Sequence, residues 1–306
     1  DEYIYKKYPK QTLDNIEKIN NIVFENCTFT GNFKIITSLI KNFIFKNCKF
    51  KKISLYGIQE YEGKNIGSIH FTITNKHKYI NNFIDTLSIH HCKFNKKFDI
   101  NDMKNSTNKV TINNLMIKNS NFKDSFKIHN CIIHEIKITG AEFHGTADFL
   151  ESELGRDNKT IIFDNNSFKQ LTTFEGSTFN KKTVFKYVTF SELVQFRGAS
   201  FLNGLNLDKT NIENEMNFYN VNGLEAVQSK NETSQETYRI IKHSCESNNS
   251  RIDANKYHAL ELEKKKESIK FIDNELDWII FQGNYLASRF GTNYIYPLIG
   301  ILIVGF

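Results

Sequence analysis

Eight phenylalanines run from Phe163 to Phe201 at steps that alternate between five and six residues: Phe163, Phe168, Phe174, Phe179, Phe185, Phe190, Phe196 and Phe201. Leu207, Ile212 and Phe218 continue the beat. Steps of five and six on an α-helix rotate by about 140° and 240°, so the rings share no stripe. On a flat strand a five-residue step turns the side chain to the opposite face. The chain must therefore turn a corner between successive rings, with every ring pointing inward. A fixed period of this kind defines a coil of stacked repeats.

The same unit recurs upstream. Phe24 to Phe29 carries Cys27, Phe45 to Phe50 carries Cys48, and Ile89 to Phe94 carries Cys92. Ile117 to Phe122 carries Ser120, Ile128 to Ile133 carries Cys131, and Ile138 to Phe143 carries Ala141. The small residue always stands two before the second large one, so both face a narrow interior where large and small side chains together fill the space. Four of the five cysteines occupy this small position, as Ala and Ser do elsewhere. They read as small buried hydrophobes in a reducing compartment rather than as a disulfide framework.

This unit resembles the pentapeptide-repeat family, whose five-residue unit places a small residue two before a central Leu or Phe. The resemblance covers roughly residues 22–224 and implies an all-β solenoid, a right-handed quadrilateral β-helix with about four units per coil. The extra residue in every second unit is expected to be absorbed as a bulge at a corner. Residues 1–21 are expected to cap the N-terminal end, since an open coil needs covering. Insertions break the rhythm near 56–86 and 102–114, the first expected to protrude as a hairpin or loop. Insertions on a solenoid often mark a binding face. Gly145, Gly176, Gly198 and Gly204 read as corner residues.

After Leu224 the beat stops, and a small helical segment is expected over 231–290. Thr233 to Glu236 has the form of a capping box, which predicts a helix start there. A second helix is expected from about Arg251 to Ile269, ending in Lys264, Lys265, Lys266 and Lys270, whose charge suits a helix C-terminus. Residues 293–306 are free of charge and read as the start of a transmembrane helix, of which a full span needs about 20 apolar residues. Trp278, Tyr294 and Tyr296 fit an interfacial aromatic belt, and the lysines place the solenoid on the cytoplasmic side. This end resembles pentapeptide-repeat membrane proteins that carry a helical pair opening like Tyr238-Arg239-Ile240-Ile241-Lys242. There the pair closes near an aromatic and paired glutamates, here Tyr257, Glu261 and Glu263. In some of these proteins the membrane part resembles a channel pore.

Other chemistry is thinly supported. His129, Cys131 and His134 form the tightest His/Cys group, but a coil points Cys131 inward and the histidines elsewhere, so no metal is expected. Asp148, Glu151 and Glu153 are the closest acidic group in the repeats, and a glycosidase would need such carboxylates paired on one face. No phosphate loop, nucleophile elbow or zinc-protease motif is present. The net charge of +6 argues against acidic DNA mimicry, and inward aromatics leave outward lysines such as Lys46, Lys93, Lys123 and Lys186 without a stacking platform for nucleic acid. The leading expectation is a non-enzymatic, membrane-tethered scaffold without cofactor that binds a protein partner. The alternative is a cytoplasmic regulatory domain of a membrane pore or channel, and the weakest is a carbohydrate-active β-helix.

Overall fold

The computed structural model describes residues 19–25, 27–35, 40–46, 49–56, 68–72, 83–95, 97–101, 109–158, 161–270 and 275–304. Cys48 and most of the expected N-terminal cap lie outside these. Strands from Ile19 to Asn217 build a parallel β-solenoid. One wall is a nine-stranded sheet that begins with Ile19–Glu25 and ends with Met216–Asn217. The other strands join in a fifteen-stranded sheet that folds around the remaining walls.

One coil illustrates the square section. Phe126–His129 forms the first wall, the two halves of the bent strand Cys131–Thr139 form the second and third, Glu142–Phe143 the fourth, and Ala147–Asp148 returns to the first. Partners on the first wall, Phe126 with Ala147 and Thr172 with Val194, are 21 and 22 residues apart. Two steps of five plus two of six give that coil length, so each ring lands on a ring of the coil below.

Each wall thus carries its own ring stack. On the fourth wall Phe94, Phe122, Phe143, Phe168 and Phe190 lie face to face at centroid distances of 4.8, 5.0, 4.6 and 5.0 Å. On the first, Phe149, Phe174, Phe196 and Phe218 follow at 4.8, 5.1 and 5.1 Å. Phe163 stacks on Phe185 on the third wall and Phe179 on Phe201 on the second. Strand spacing of about 4.8 Å dictates these separations. Rings on opposite walls meet edge to face across the tube, as Phe163 meets Phe174 at 83°, the arrangement their quadrupoles favour. At the amino-terminal end Phe24 and Phe29 pack edge to face at 5.4 Å, with Cys27 half-buried beside them. Phe45 and Phe50 sit in wall strands in register with Phe24 and Phe29.

The small position is also a hydrogen-bonding position. Cys92 N donates to Ser120 Oγ of the next coil at 3.1 Å, Cys131 N to Ser152 Oγ at 3.2 Å, and Ala141 N to Asn166 Oδ1 at 2.9 Å. Ser152 Oγ in turn donates to the Ile128 carbonyl. A buried amide would be costly without a partner, so these serines and Asn166 do more than leave room. The Cys92 and Cys131 thiols donate to the carbonyls of His90 and His129.

The corners are of two kinds. Most five-residue steps pass through a positive-φ residue two after the large one, namely His91, Asn119, Asn130, Gly140, Glu151, Asn165, Gly176, Tyr187, Gly198 and Asn220, while the step from Leu207 to Ile212 does not. Six-residue steps have a residue to spare and mostly avoid that conformation, although Gly204 adopts it at one of them. The extra residue therefore widens alternate corners instead of bulging from a wall strand, except between Thr28–Ile35 and Lys49–Tyr56 and between Thr183–Phe190 and Leu205–Ile212, where the register shifts. Gly176 and Gly198 are corner residues as expected, but Gly145 has another task. A Cβ there would stand 2.5 Å from the Asp124 carbonyl carbon.

The expected hairpin within 56–86 is a correction. Ser68–Thr72 is a wall strand, with Ile69 and Phe71 in register between Phe43 and Phe45 below and Phe98 and Ile100 above. Their period-two alternation is the wall pattern itself. Thr72 pairs with Asn101, and Ile84 with Ile112. Residues 57–67, 73–82 and 102–108 lie outside the described residues.

Three helices close the far end: α1 (Val227–Glu232), α2 (Gln235–Ser247) and α3 (Arg251–Ser268). Tyr238, Ile241, Cys245, Ala254, Tyr257 and Leu260 join the same buried cluster as Leu205, Leu207 and Phe218. The open ladder of the last coil is met by hydroxyls. Gly204 N donates to Ser229 Oγ, Leu205 N to Thr233 Oγ1 and Leu207 N to Thr237 Oγ1, at 3.1, 3.1 and 2.9 Å. Ser244 donates to the Met216 carbonyl. Because Thr233 serves the edge, it does not cap α2. Ser234 does, accepting from Thr237 N at 3.1 Å, so the cap lies one residue later than predicted and Thr237, not a Glu, stands at the third helical position.

Phe179→Ala is expected to lose about 3–5 kcal/mol in chemical denaturation, whereas Lys181→Glu at an outer position should stay within about 0.5 kcal/mol. Equal losses would contradict the inward register. Gly198→Ala should cost about 1–2 kcal/mol from its left-handed backbone alone, since nothing lies within 4 Å of the new Cβ. Gly145→Ala should cost more, because the obstacle is backbone.

Candidate membrane-facing and partner-facing surfaces

The two sequence pieces of the helical pair meet in space. Tyr238 of α2 stacks on Tyr257 of α3 at 6.5 Å and donates its hydroxyl to the Leu224 carbonyl at 2.9 Å. Burial pushes both phenols far above their ordinary value. Glu261, buried on α3, accepts from Arg239 Nε and Lys242 Nζ, both at 3.0 Å. Burial alone would raise its carboxyl, but these two hydrogen bonds and their charges outweigh it and hold the group below the ordinary 4.5. Lys230 of α1 bonds Glu263 at 2.8 Å. One buried carboxylate and its neighbour thereby clamp the three helices to one another.

Past the clamp the chemistry changes. Lys264 is engaged by Glu267 at 3.0 Å, while Lys265 and Lys270 are exposed. Lys266 lies 3.4 Å above the Tyr285 ring, a close cation–π contact. It thereby ties α3 to α4 (Glu275–Ser288). Phe281 and Tyr285 of α4 pack on Phe290 at 6.1 and 5.8 Å, with Trp278 half-buried on the same side. A turn at Arg289, Phe290 and Gly291, with φ of 47°, 55° and 83°, leads to α5 (Ile295–Val304).

Large apolar side chains here face water in quantity. Leu276, Ile279, Ile280 and Leu286 of α4 are exposed, as are Ile295, Leu298, Ile299, Ile301 and Leu302 of α5. No charged residue lies within α5, and Tyr294 beside it is 83% exposed. Contiguous exposure on this scale marks an interaction surface. Among the described residues no helix is long and apolar enough to cross a membrane. At 1.5 Å per residue the ten residues of α5 extend about 15 Å, half the hydrocarbon thickness.

The solenoid's outer faces are polar. Along one corner Glu151, Glu175, Gly176, Arg197, Tyr219 and Asn220 line a shallow groove, with Arg197 3.9 Å from Glu175 and 5.4 Å from the Tyr219 ring. Tyr187 is exposed at another corner, under Lys186 and Lys209 at 5.2 Å each. Aromatic residues therefore do reach the surface, at corners, contrary to the inward-only expectation. Lys93 and Lys123 are exposed as expected.

The remaining groups are engaged separately. Cys131 is buried with its thiol on the His129 carbonyl, His129 faces Asp148 at 2.5 Å, and His134 faces Asp157 at 2.8 Å. Glu153 is held by Lys109 at 2.6 Å, and Glu151 occupies a corner with φ of 52°. Sequence reasoning missed the row Ser229, Thr233, Thr237. Its signal was present as hydroxyls at four-residue steps just after the last ring.

Lowering pH should weaken the helical clamp in a defined window. The folded carboxyl of Glu261 titrates below its unfolded value, so its contribution is complete above about pH 4.5 and is lost as pH falls through the lower folded value. Glu261→Gln should cost about 1–3 kcal/mol at pH 7, with the difference from the parent shrinking in acid denaturation series. A difference independent of pH would refute the assignment.

Comparison with protein-family models, curated proteins and solved structures finds no match to this chain.

Proposed function

We propose that this protein is a non-enzymatic scaffold of the pentapeptide-repeat type, held at a membrane by its C-terminal helices and offering the solenoid's outer faces to a protein partner. The observation that carries the reading is the exposed, uncharged α5. Burying a Leu or Ile side chain is worth about 1.5–3 kcal/mol, so five such residues left in water argue for an apolar medium around them. Lysines at the end of α3 put positive charge on the solenoid's side of that segment, which supports a cytoplasmic solenoid. The clamp between α2 and α3 supports a firm joint between rod and anchor. The corner groove of Glu175, Arg197 and Tyr219 supplies charge and an aromatic face of the sort protein interfaces use.

Fractionation of the protein expressed in full tests the tether. It should sediment with membranes, resist high salt and be released by detergent. Recovery in the soluble fraction without detergent would overturn the proposal. Ile299→Asp with Leu302→Asp should release it, since each aspartate at the centre of a membrane helix costs about 2.5–3.5 kcal/mol.

A further inference from the structure

The membrane reading leaves open how α4 sits, and its geometry answers. Leu276, Ile279, Ile280 and Leu286 follow at i, i+3, i+4 and i+10, which places them on one stripe, and all four are exposed. Trp278, Phe281 and Tyr285, at i, i+3 and i+7, make the opposite side, covered in part by Phe290 and by Lys266 from α3. Both ends of α4 are polar. Glu275 and Asp277 stand in its first turn. Its last residue runs into the irregular turn of Arg289, Gly291, Thr292 and Asn293, where Asn293 Oδ1 accepts from Ile295 N at 3.0 Å. Irregular backbone facing lipid is not tolerated in the hydrocarbon, because its amides and carbonyls lack partners there. Both ends must then lie at headgroup level. Fourteen residues rise about 21 Å, too little for the roughly 30 Å core.

From these observations, and resting on the membrane reading above, we infer that α4 lies flat in the interface of a phospholipid bilayer. Its Leu276–Leu286 stripe is immersed in the acyl boundary, and its Trp278–Tyr285 side faces back toward α3. An amphipathic helix of this kind buries its apolar face about 5–10 Å deep. The turn at Arg289 to Asn293 then redirects the chain into α5.

The chain has a single tryptophan, which allows depth to be read by fluorescence. Two variants, Trp278→Phe with Ile280→Trp and Trp278→Phe with Leu286→Trp, are floated with phosphatidylcholine vesicles. The lipids are brominated either near the glycerol or near the chain ends, and circular dichroism identical to the parent verifies folding. Both reporters should shift to the blue and be quenched at least twofold more by shallow than by deep bromine, with equal depth at the two positions. In the unmodified chain Trp278, on the opposite side, should be quenched less than either. Stronger quenching by deep bromine, unequal depths, or unquenched emission from protein that still floats would overturn the flat helix while leaving the tether standing. Failure of the unmodified chain to float would instead remove the tether, and this inference with it.

Discussion

Everything in this structure follows from the fit between main-chain pairing and ring stacking. Parallel strands repeat at about 4.8 Å, and aromatic rings prefer contacts near that distance when offset. A coil of 21 or 22 residues, or a longer one of 25 or 28, lets the stacked rings meet both demands together. Four stacks, one per wall, then fill the tube; the second inward position stays small on the second and fourth walls, as at Cys131 and Ala141, and takes larger residues such as Phe126 and Ile136 on the other two. The period in the sequence is the footprint of this fit.

The hydroxyls show how such a rod can end. Within the solenoid each coil supplies the next with ladder partners, so the last coil is short of them. Ser229, Thr233, Thr237 and Ser244 take over the place of the missing coil, while Tyr238, Ile241 and Tyr257 roof the ring stacks. Neither part would suffice alone: an apolar lid leaves amides unpaired, and hydroxyls leave rings in water. Exposed strand edges also invite pairing with other chains, which this cap blocks at one end.

The inward positions were legible because period and residue size both announce them. Phe94 to Phe201 are inward and stacked where described, and Cys92 and Cys131 sit in the small slot. Less legible were features whose partner lies a coil away. Asn119, Asn130, Asn165 and Asn220 mark corners as surely as glycine does, yet asparagine is common enough in this chain to hide the pattern. Thr233 looked like a helix cap because its sequence neighbours fit one, but Leu205 N, 28 positions back, claims its hydroxyl. Ile69 and Phe71 looked like a hairpin because the flanking rhythm is lost, and only their register with Phe98 and Ile100 shows a wall. The contacts of α4 with Phe290 and Lys266 depend on a turn whose left-handed residues include Arg289 and Phe290, which nothing local requires.

The uneven spacing of strands along the first wall gives the rod an unusual freedom. Partners on the first wall stand 29 residues apart from Phe71 to Ile100 and 28 from Ile100 to Ile128, yet the ladder above and below keeps its register. The length of chain between wall strands can therefore change while the stacked strands remain where they are. A solenoid built this way separates what must stay constant from what can diversify, as a bookshelf does its frame and its volumes.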